Sequence, residues 1–266
     1  MLNNVPVLTT LPATDINRAK EFYEDKLGLT IEEFYEDMMV LDANGIKITV
    51  YERPKPTKAD HTVMTFEVKD IENEIKGLKT KGVIFEDYDK GVLSEKLITE
   101  IVERCISAGI PTIVDPKKRN FLAYRNVSLF KPNKKELIEG LKLDSGLNTI
   151  ADVMDAVQLL KKELTPETVL ITLSEQGVYI ESEDNKHHIQ AHKREISDVS
   201  GAGDTVISVA ALCYALGLPA ELLAAIANLA GGIVCEYVGV VPIDKTILLK
   251  EIQRLNLLPN AAGNPQ

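Results

Sequence analysis

Between positions 198 and 205 the chain reads Asp198-Val-Ser-Gly-Ala-Gly-Asp204-Thr205 and runs straight into the apolar stretch VISVAALCYALG. Gly201 and Gly203 allow the backbone to come close to a ligand. The helix they open would aim unpaired N–H groups and the positive end of its dipole at an anion. Asp204, in that first turn, is placed to take a proton from an attacking hydroxyl. The chemistry this predicts is phosphoryl transfer. A glycine turn before a core helix, with Asp204 as a cap, is the plainer alternative.

Further polar residues follow short apolar runs. Asp115 and Lys117 come after TIV, Asn133 and Glu136 after LFKP, and Ser174 and Glu175 after LITL. In an open parallel sheet ligands bind beyond the carboxyl ends of the strands, and these residues would stand there. Each also has an ordinary role: Asp115 before Pro116 suits a turn, Asn133 with Glu136 suits a capping box, and Lys117 suits a solvated surface. His188 and His192 have metal-ligand spacing for a helix, but nothing around them predicts one.

The elements that would position these groups alternate in type from about Asp87 onward. LSEKLITEIVERCISAG predicts an amphipathic helix with Leu93, Leu97, Ile98, Ile101, Val102 and Cys105 inward, ended by Gly109. PTIVDP, VSLFKPN and TVLITLS read as buried strands, IADVMDAVQLLKKEL as a helix, GVYIES as a return strand, and the histidines at 187, 188 and 192 as a polar segment after it. The 266 residues carry a formal charge of -10, which argues against nucleic-acid and membrane-surface roles. Three separated cysteines, Cys105, Cys213 and Cys235, in apolar settings predict reduced thiols and a cytoplasmic protein. No export signal or membrane span is evident.

The first third is richer in strands. After VPVLTTLPA, Asp15 can cap a helix INRAKEFYEDKLG that buries Ile16, Ala19, Phe22, Tyr23 and Leu27 and stops at Gly28. IEEFYED, MMVLDA, a turn at Asn44-Gly45 and IKITVYE continue it, followed by HTVMTFEV and a helix IENEIKGLKTKG. This order, most visibly PATDINRAKEFYEDKLGL and FEVKDIENEIKGLKTKGV, resembles about one and a half modules of the vicinal oxygen chelate family, the glyoxalase and bleomycin-resistance group. The usual metal-ligand positions align with Leu8 and Val63, with His61 two places off, so no metal is expected there; Glu52 reads as an exposed carboxylate.

From Asp87 to about Leu258, the pieces DYDKG, IPTIVDPK, LFKPNKKE, LITLSEQGVYI, DVSGAGDTVISVAAL and IANLAGGIVCEYVGVVPID resemble, in that order, the C-terminal half of the ribokinase-like (PfkB) carbohydrate kinases. Within that family they are most similar to the heptose 7-phosphate kinases of ADP-heptose synthesis. The resemblance implies an α/β fold: a ribokinase-like, Rossmann-type parallel sheet with helices on both faces, preceded here by an α+β βαβββ module. The expected organisation is a truncated chelate-like module at 1–86, a nucleotide-binding kinase half at 87–258 and a flexible tail at 259–266, fused at the shared word VIFEDYDKG.

It also implies roles. Asp204 would be the base for a sugar hydroxyl, with Gly201, Ala202 and Gly203 forming the hole for the migrating phosphoryl group. Asn133 and Glu136 would organise Mg²⁺ and phosphate, Glu136 reaching the metal through phosphate or water. Ser174, Glu175 and Gly177 would line the nucleotide phosphates and ribose, and Asn228 with Gly231 would sit beside the adenine. ATP and Mg²⁺ are the implied cofactors and a sugar phosphate the implied partner, with a homodimer as a further expectation. In this family the sugar-binding residues belong to the N-terminal half, whose place the chelate-like module takes. The alternative is a chelate-type binding or resistance module carrying a non-catalytic kinase-like scaffold.

Overall fold

The computed structural model describes residues 9–53, 81–89, 91, 93–144, 146–183 and 185–257. The chain packs as two units, Met1–Lys79 and Thr80–Gln266. The expected strand HTVMTFEV, Leu8, His61, Val63 and all but the last two residues of the expected helix IENEIKGLKTKG lie outside the described residues.

The smaller unit is a βαβββ arrangement: β1 (Thr9–Ala13), α1 (Ile16–Glu21), β2 (Thr30–Phe34), β3 (Met38–Ala43) and β4 (Ile46–Glu52), with sheet order β1-β4-β3-β2. The Asp15 carboxylate caps α1 by accepting the Arg18 N–H at 2.9 Å. Asn44 and Gly45 both take positive φ, 54° and 87°, as a two-residue hairpin turn requires, and they join β3 to β4. Period-two patterning then buries Met39 and Leu41 of β3 with Ile48 and Val50 of β4 against Leu11 and Ile16. One expectation fails. Phe22 is 50% exposed rather than buried, because α1 widens into a π-turn at Phe22–Lys26 that carries the ring off the apolar stripe and leaves it edge-on to Tyr23.

The larger unit holds β5 (Val83–Glu86), α2 (Glu95–Ala108), β6 (Thr112–Asp115), β7 (Leu129–Phe130), α3 (Lys134–Leu141), α4 (Ile150–Leu164), β8 (Thr168–Thr172), β9 (Val178–Ser182), β10 (Asn185–Ile189), α5 (Ala202–Ala215), α6 (Ala220–Val234) and α7 (Lys245–Arg254). Sheet order is β10-β9-β8-β7-β6-β5, with β5 to β8 mutually parallel and β8, β9 and β10 antiparallel. The apolar runs are continuous because both faces are covered. Val114, Phe130, Val169, Ile171 and Tyr179 point to one face, against Ile98, Leu137 and Val157 of α2, α3 and α4. Ile113, Leu129, Leu170, Val178 and Ile180 point to the other, against α5, α6 and Ile252 of α7.

Helix ends follow the predicted signals. Ser94 caps α2 and Gly109 closes it at φ 66°, with Ile98, Val102 and Cys105 buried. The three cysteines are free and buried. The segment after β9 is a strand rather than a polar loop: Asn185–Ile189, with His187 and His188, pairs with β9, and His192 lies beyond it outside any helix or strand. Among the described residues no helix is long and apolar enough to cross a membrane.

Candidate functional site

Because β5, β6, β7 and β8 run parallel, their carboxyl ends lie along one edge of the sheet. Strand alternation then decides which side chains meet. On β6, Asp115 shares the side of Ile113; at the end of β7, Lys131 shares the side of Leu129; both belong to the face that α5 covers. The result is a buried pair: Lys131 Nζ lies 3.0 Å from Asp115 Oδ2, each side chain 5% exposed or less. Asp115 Oδ1 is buried with no hydrogen-bond partner.

The glycine turn delivers α5 to this spot. Asp198 holds the turn, its Oδ1 accepting from the Ser200 N–H at 3.0 Å and the Ser200 hydroxyl at 2.8 Å, its Oδ2 from the Gly239 N–H at 2.9 Å. These bonds, the Ser200 N–H first, pull the Asp198 carboxyl down to about 2. Gly201 sits at φ 77°, and a Cβ there would come 2.9 Å from Val240 Cγ1, so a glycine is required. Ala202 gives its N–H to Val199 O, and Thr205 gives its own to Gly201 O. The N–H groups of Gly203 and Asp204 find no acceptor among the described residues and face outward at the positive end of a 14-residue helix. A Cβ on Gly203 would meet only Asp115 Oδ2 at 3.7 Å and Lys131 Nζ at 4.0 Å. The open space beside that glycine thus adjoins a buried ammonium.

Asp204 lies in the first turn of α5 and is half-buried. One carboxylate oxygen from each of Glu86, Asp115 and Asp204 lies within 4.8 Å of the others. Burial, and then the Asp115 and Asp204 charges, push Glu86 up to about 8 against the opposing pull of Lys131 and Lys117. The Tyr88 hydroxyl donates to Asp204 Oδ2 at 2.9 Å.

Asn133 and Glu136 form the capping box of α3: Glu136 Oε2 accepts the Asn133 N–H at 2.8 Å and Asn133 Oδ1 accepts the Glu136 N–H at 2.8 Å. Glu136 Oε1 takes the Lys117 ammonium, which also stands 4.0 Å from Asp115 Oδ1. A lysine cation thus already sits between these two carboxylates. Ser174 and Glu175 occupy the exposed 3₁₀ turn Ser174–Gln176 after β8. Gly177 closes that turn at φ 86°, where a Cβ would lie 2.0 Å from Ile189 O. Asn228 Nδ2 donates to Gln190 O at 3.0 Å, and Gly231 lets α6 cross α5, a Cβ there meeting Val206 Cγ2 at 2.6 Å.

The structure therefore brings Asp204 and the glycine turn together with Asp115, and joins the Asn133–Glu136 box to Asp115 through Lys117. Glu86, Tyr88 and Lys131 were given no role from sequence. The signal that could have found them is the two-residue period at the ends of the parallel strands, which puts 86 and 88, 115, and 131 on the side of the glycine helix.

Residues 58–246 match the model of the pfkB family carbohydrate kinases, and residues 6–88 match that of the Glyoxalase/Bleomycin resistance protein/Dioxygenase superfamily. The two matches overlap in a segment that ends with β5 and Tyr88. The chain is 39% identical over 174 residues to the bifunctional protein HldE of Campylobacter concisus and 37% identical over 172 residues to that of Methylobacillus flagellatus. Each match covers 65% of this chain and 35% of the relative, so the chain spans about a third of the length of these curated relatives. Among solved structures, the phosphofructokinase-2 of Escherichia coli in complex with potassium aligns with a TM-score of 0.60 at 20% identity, over 70% of this chain and 61% of that chain. A putative ribokinase from Agrobacterium tumefaciens aligns with a TM-score of 0.52 at 17% identity, over 61% of this chain and 53% of that one. At these identities the likeness is one of fold.

Proposed function

The chain belongs to the pfkB family of carbohydrate kinases, and from that premise we propose that its larger unit binds ATP at the ends of β5 to β8 and passes the γ-phosphoryl group to a hydroxyl of a phosphorylated sugar. A heptose phosphate is the acceptor class that the sequence resemblance to the heptose 7-phosphate kinases implies. One observation supports the reading: the free N–H groups of Gly203 and Asp204, the buried Lys131 ammonium and the Asp204 carboxylate all belong to or adjoin the first turn of α5. The first two hold an anion, and the third accepts the proton that the attacking hydroxyl loses.

The residues fit a metal-bound triphosphate. Asp115, with its unpartnered Oδ1, and Glu136 would face a Mg²⁺ ion, and Lys117 between them would turn to the phosphates. When bound, Mg²⁺ supplies neutralisation of phosphate charge. Everything else is positioning by the protein: α5 orients the terminal phosphate, and Asp198 keeps the turn in shape. Ser174 and Glu175 would meet the ribose and the inner phosphates, and Asn228 the adenine side.

Two measurements test this. Calorimetry with ATP and Mg²⁺ should give binding heat for the wild type and none for Gly203→Val, whose side chain would fill the space beside Lys131. A coupled ADP-release assay across phosphorylated sugars should show sugar-dependent ADP that disappears in Asp204→Asn. Equal heats in the first experiment, or no sugar-dependent ADP in the second, would refute the reading.

A further inference from the structure

We propose that Tyr88 is a positioning residue for the proton acceptor Asp204, set in place by the buried carboxylate of Asp87; this rests on the kinase reading above. The observations begin with the chain leaving β5. The Asp87 N–H donates to Asp115 O at 3.1 Å, so the backbone stays in the ladder one residue beyond the strand and keeps its two-residue alternation. Asp87 therefore turns to the face opposite Glu86. It is 2% exposed there, and its Oδ2 accepts from the Tyr124 hydroxyl at 2.8 Å and from Asn120 Nδ2 at 3.0 Å. Its Oδ1 accepts the Asp89 N–H at 2.8 Å, which bends the chain directly after Tyr88.

A carboxylate held by three donors is a fixed point, and its neighbours must face the other way. Glu86 and Tyr88 are thereby delivered to the side of α5. Tyr88 is 49% exposed, and the one hydrogen bond of its hydroxyl among the described residues goes to Asp204 Oδ2.

The consequence for Asp204 is geometric. Glu86 and Asp115 each bring a carboxyl oxygen within 4.8 Å of one of its own, so the group has more than one orientation open to it in this cluster. A neutral donor on Oδ2 holds the group in one orientation and leaves Oδ1 for the acceptor hydroxyl, without adding a charge. The phenol suits this because it keeps its proton: burial first, and then the Asp204 carboxylate, push its ionisation above the usual tyrosine range. Tyr88 acts through Asp204 and needs no contact with either substrate.

The test is Tyr88→Phe, which keeps the ring and removes the donor. Turnover should fall about tenfold with the KM values for ATP and sugar unchanged, the loss expected for one hydrogen bond to a charged group. Unchanged turnover overturns the proposal. So does a raised KM for the sugar at unchanged turnover, which would make Tyr88 a platform for substrate. A second readout does not use activity. In fluorotyrosine-labelled protein, the Tyr88 signal, assigned by its loss in Tyr88→Phe, should move in Asp204→Asn; a signal that stays put shows that the contact is absent and ends the proposal. If the wild type makes no sugar-dependent ADP, the kinase reading has failed, and the fluorine signal alone then decides whether Tyr88 holds Asp204.

Discussion

The two units bury different things. In the smaller one, the core is six apolar residues, and its carboxylates serve the surface: Glu52 Oε2 accepts the Ile16 N–H at 2.8 Å and Asp15 caps the same helix. A cavity of about 500 Å³ beside that helix, lined by Arg18, Phe22, Tyr23 and Arg53, opens to solvent. In the larger unit, Asp87, Asp115, Lys131, Glu136 and Glu181 are all buried, and every buried polar or charged side chain among the described residues lies there. Burying a charge costs several kcal/mol unless it is paired, so a sheet does not collect charges in its interior by default. Four of these five stand at the carboxyl ends of parallel strands, or on the first turn that follows one, and two of them, Asp115 and Lys131, lie beside the glycine helix. The difference separates a unit built to hold its shape from one that also gathers charged groups at one edge of its sheet.

The comparison can be broken most forcefully at the charges. Replacing Lys131 by Met leaves the buried Asp115 without its hydrogen-bonded counterion, with only the more distant Lys117 at 4.0 Å, and should lower the stability of the larger unit by about 3 kcal/mol, read as a fall in the denaturant midpoint. Asp204→Asn should leave that midpoint within about 1 kcal/mol of wild type, yet lower ADP release by a factor on the order of 10²–10⁴, the usual worth of a general base. The smaller unit supplies the contrast. Met39 is fully buried, and Met39→Ala should cost about 2–4 kcal/mol of stability through the cavity it leaves, while the heat of ATP binding stays at its wild-type value. If Met39→Ala abolished that heat, or Lys131→Met were neutral, the division of labour between the two sheets would be wrong.

How much of this was legible in sequence depended on the range of the contacts. Elements with local signals were readable: the Asp15 and Ser94 caps, the Asn44-Gly45 turn, the αL Gly109 and the capping box at Asn133 and Glu136 each depend on residues no more than a few positions apart. The place of Asp204 was readable for the same reason, since the glycine turn and this carboxylate share one short stretch of sequence. Lys131 was passed over because it stands inside an apolar run whose partner, Asp115, is supplied by a neighbouring strand. Tyr88 was passed over because its partner lies 116 residues away. β10 reads as a polar tail, and only its pairing with β9 makes it a strand. Phe22 was misplaced because an α-helical period was continued through residues that form a wider turn.

The smallest expected effect is the most specific to the larger unit, because it comes from carboxylates of opposite character in one site. Glu86 is raised to about 8 from an ordinary value of 4.5, mainly by burial and then by Asp115 and Asp204. Between those two values the folded chain holds a proton that the unfolded chain has released, so stability falls as pH rises through this window. Asp198, lowered to about 2 by its hydrogen bonds, works with the opposite sign: its contribution is present above the unfolded carboxyl value and is lost as pH falls below it toward 2. Glu86→Gln should remove the first slope and leave the second. Since Glu86 is partly open to solvent, the gain at pH 8 is about 1–2 kcal/mol once screening is allowed for, with no gain at pH 4. Denaturant midpoints of wild type and Glu86→Gln at pH 4, 6 and 8 measure it. Parallel curves would mean that Glu86 ionises like a surface residue, and that the charge crowding around Asp204 is weaker than the geometry requires.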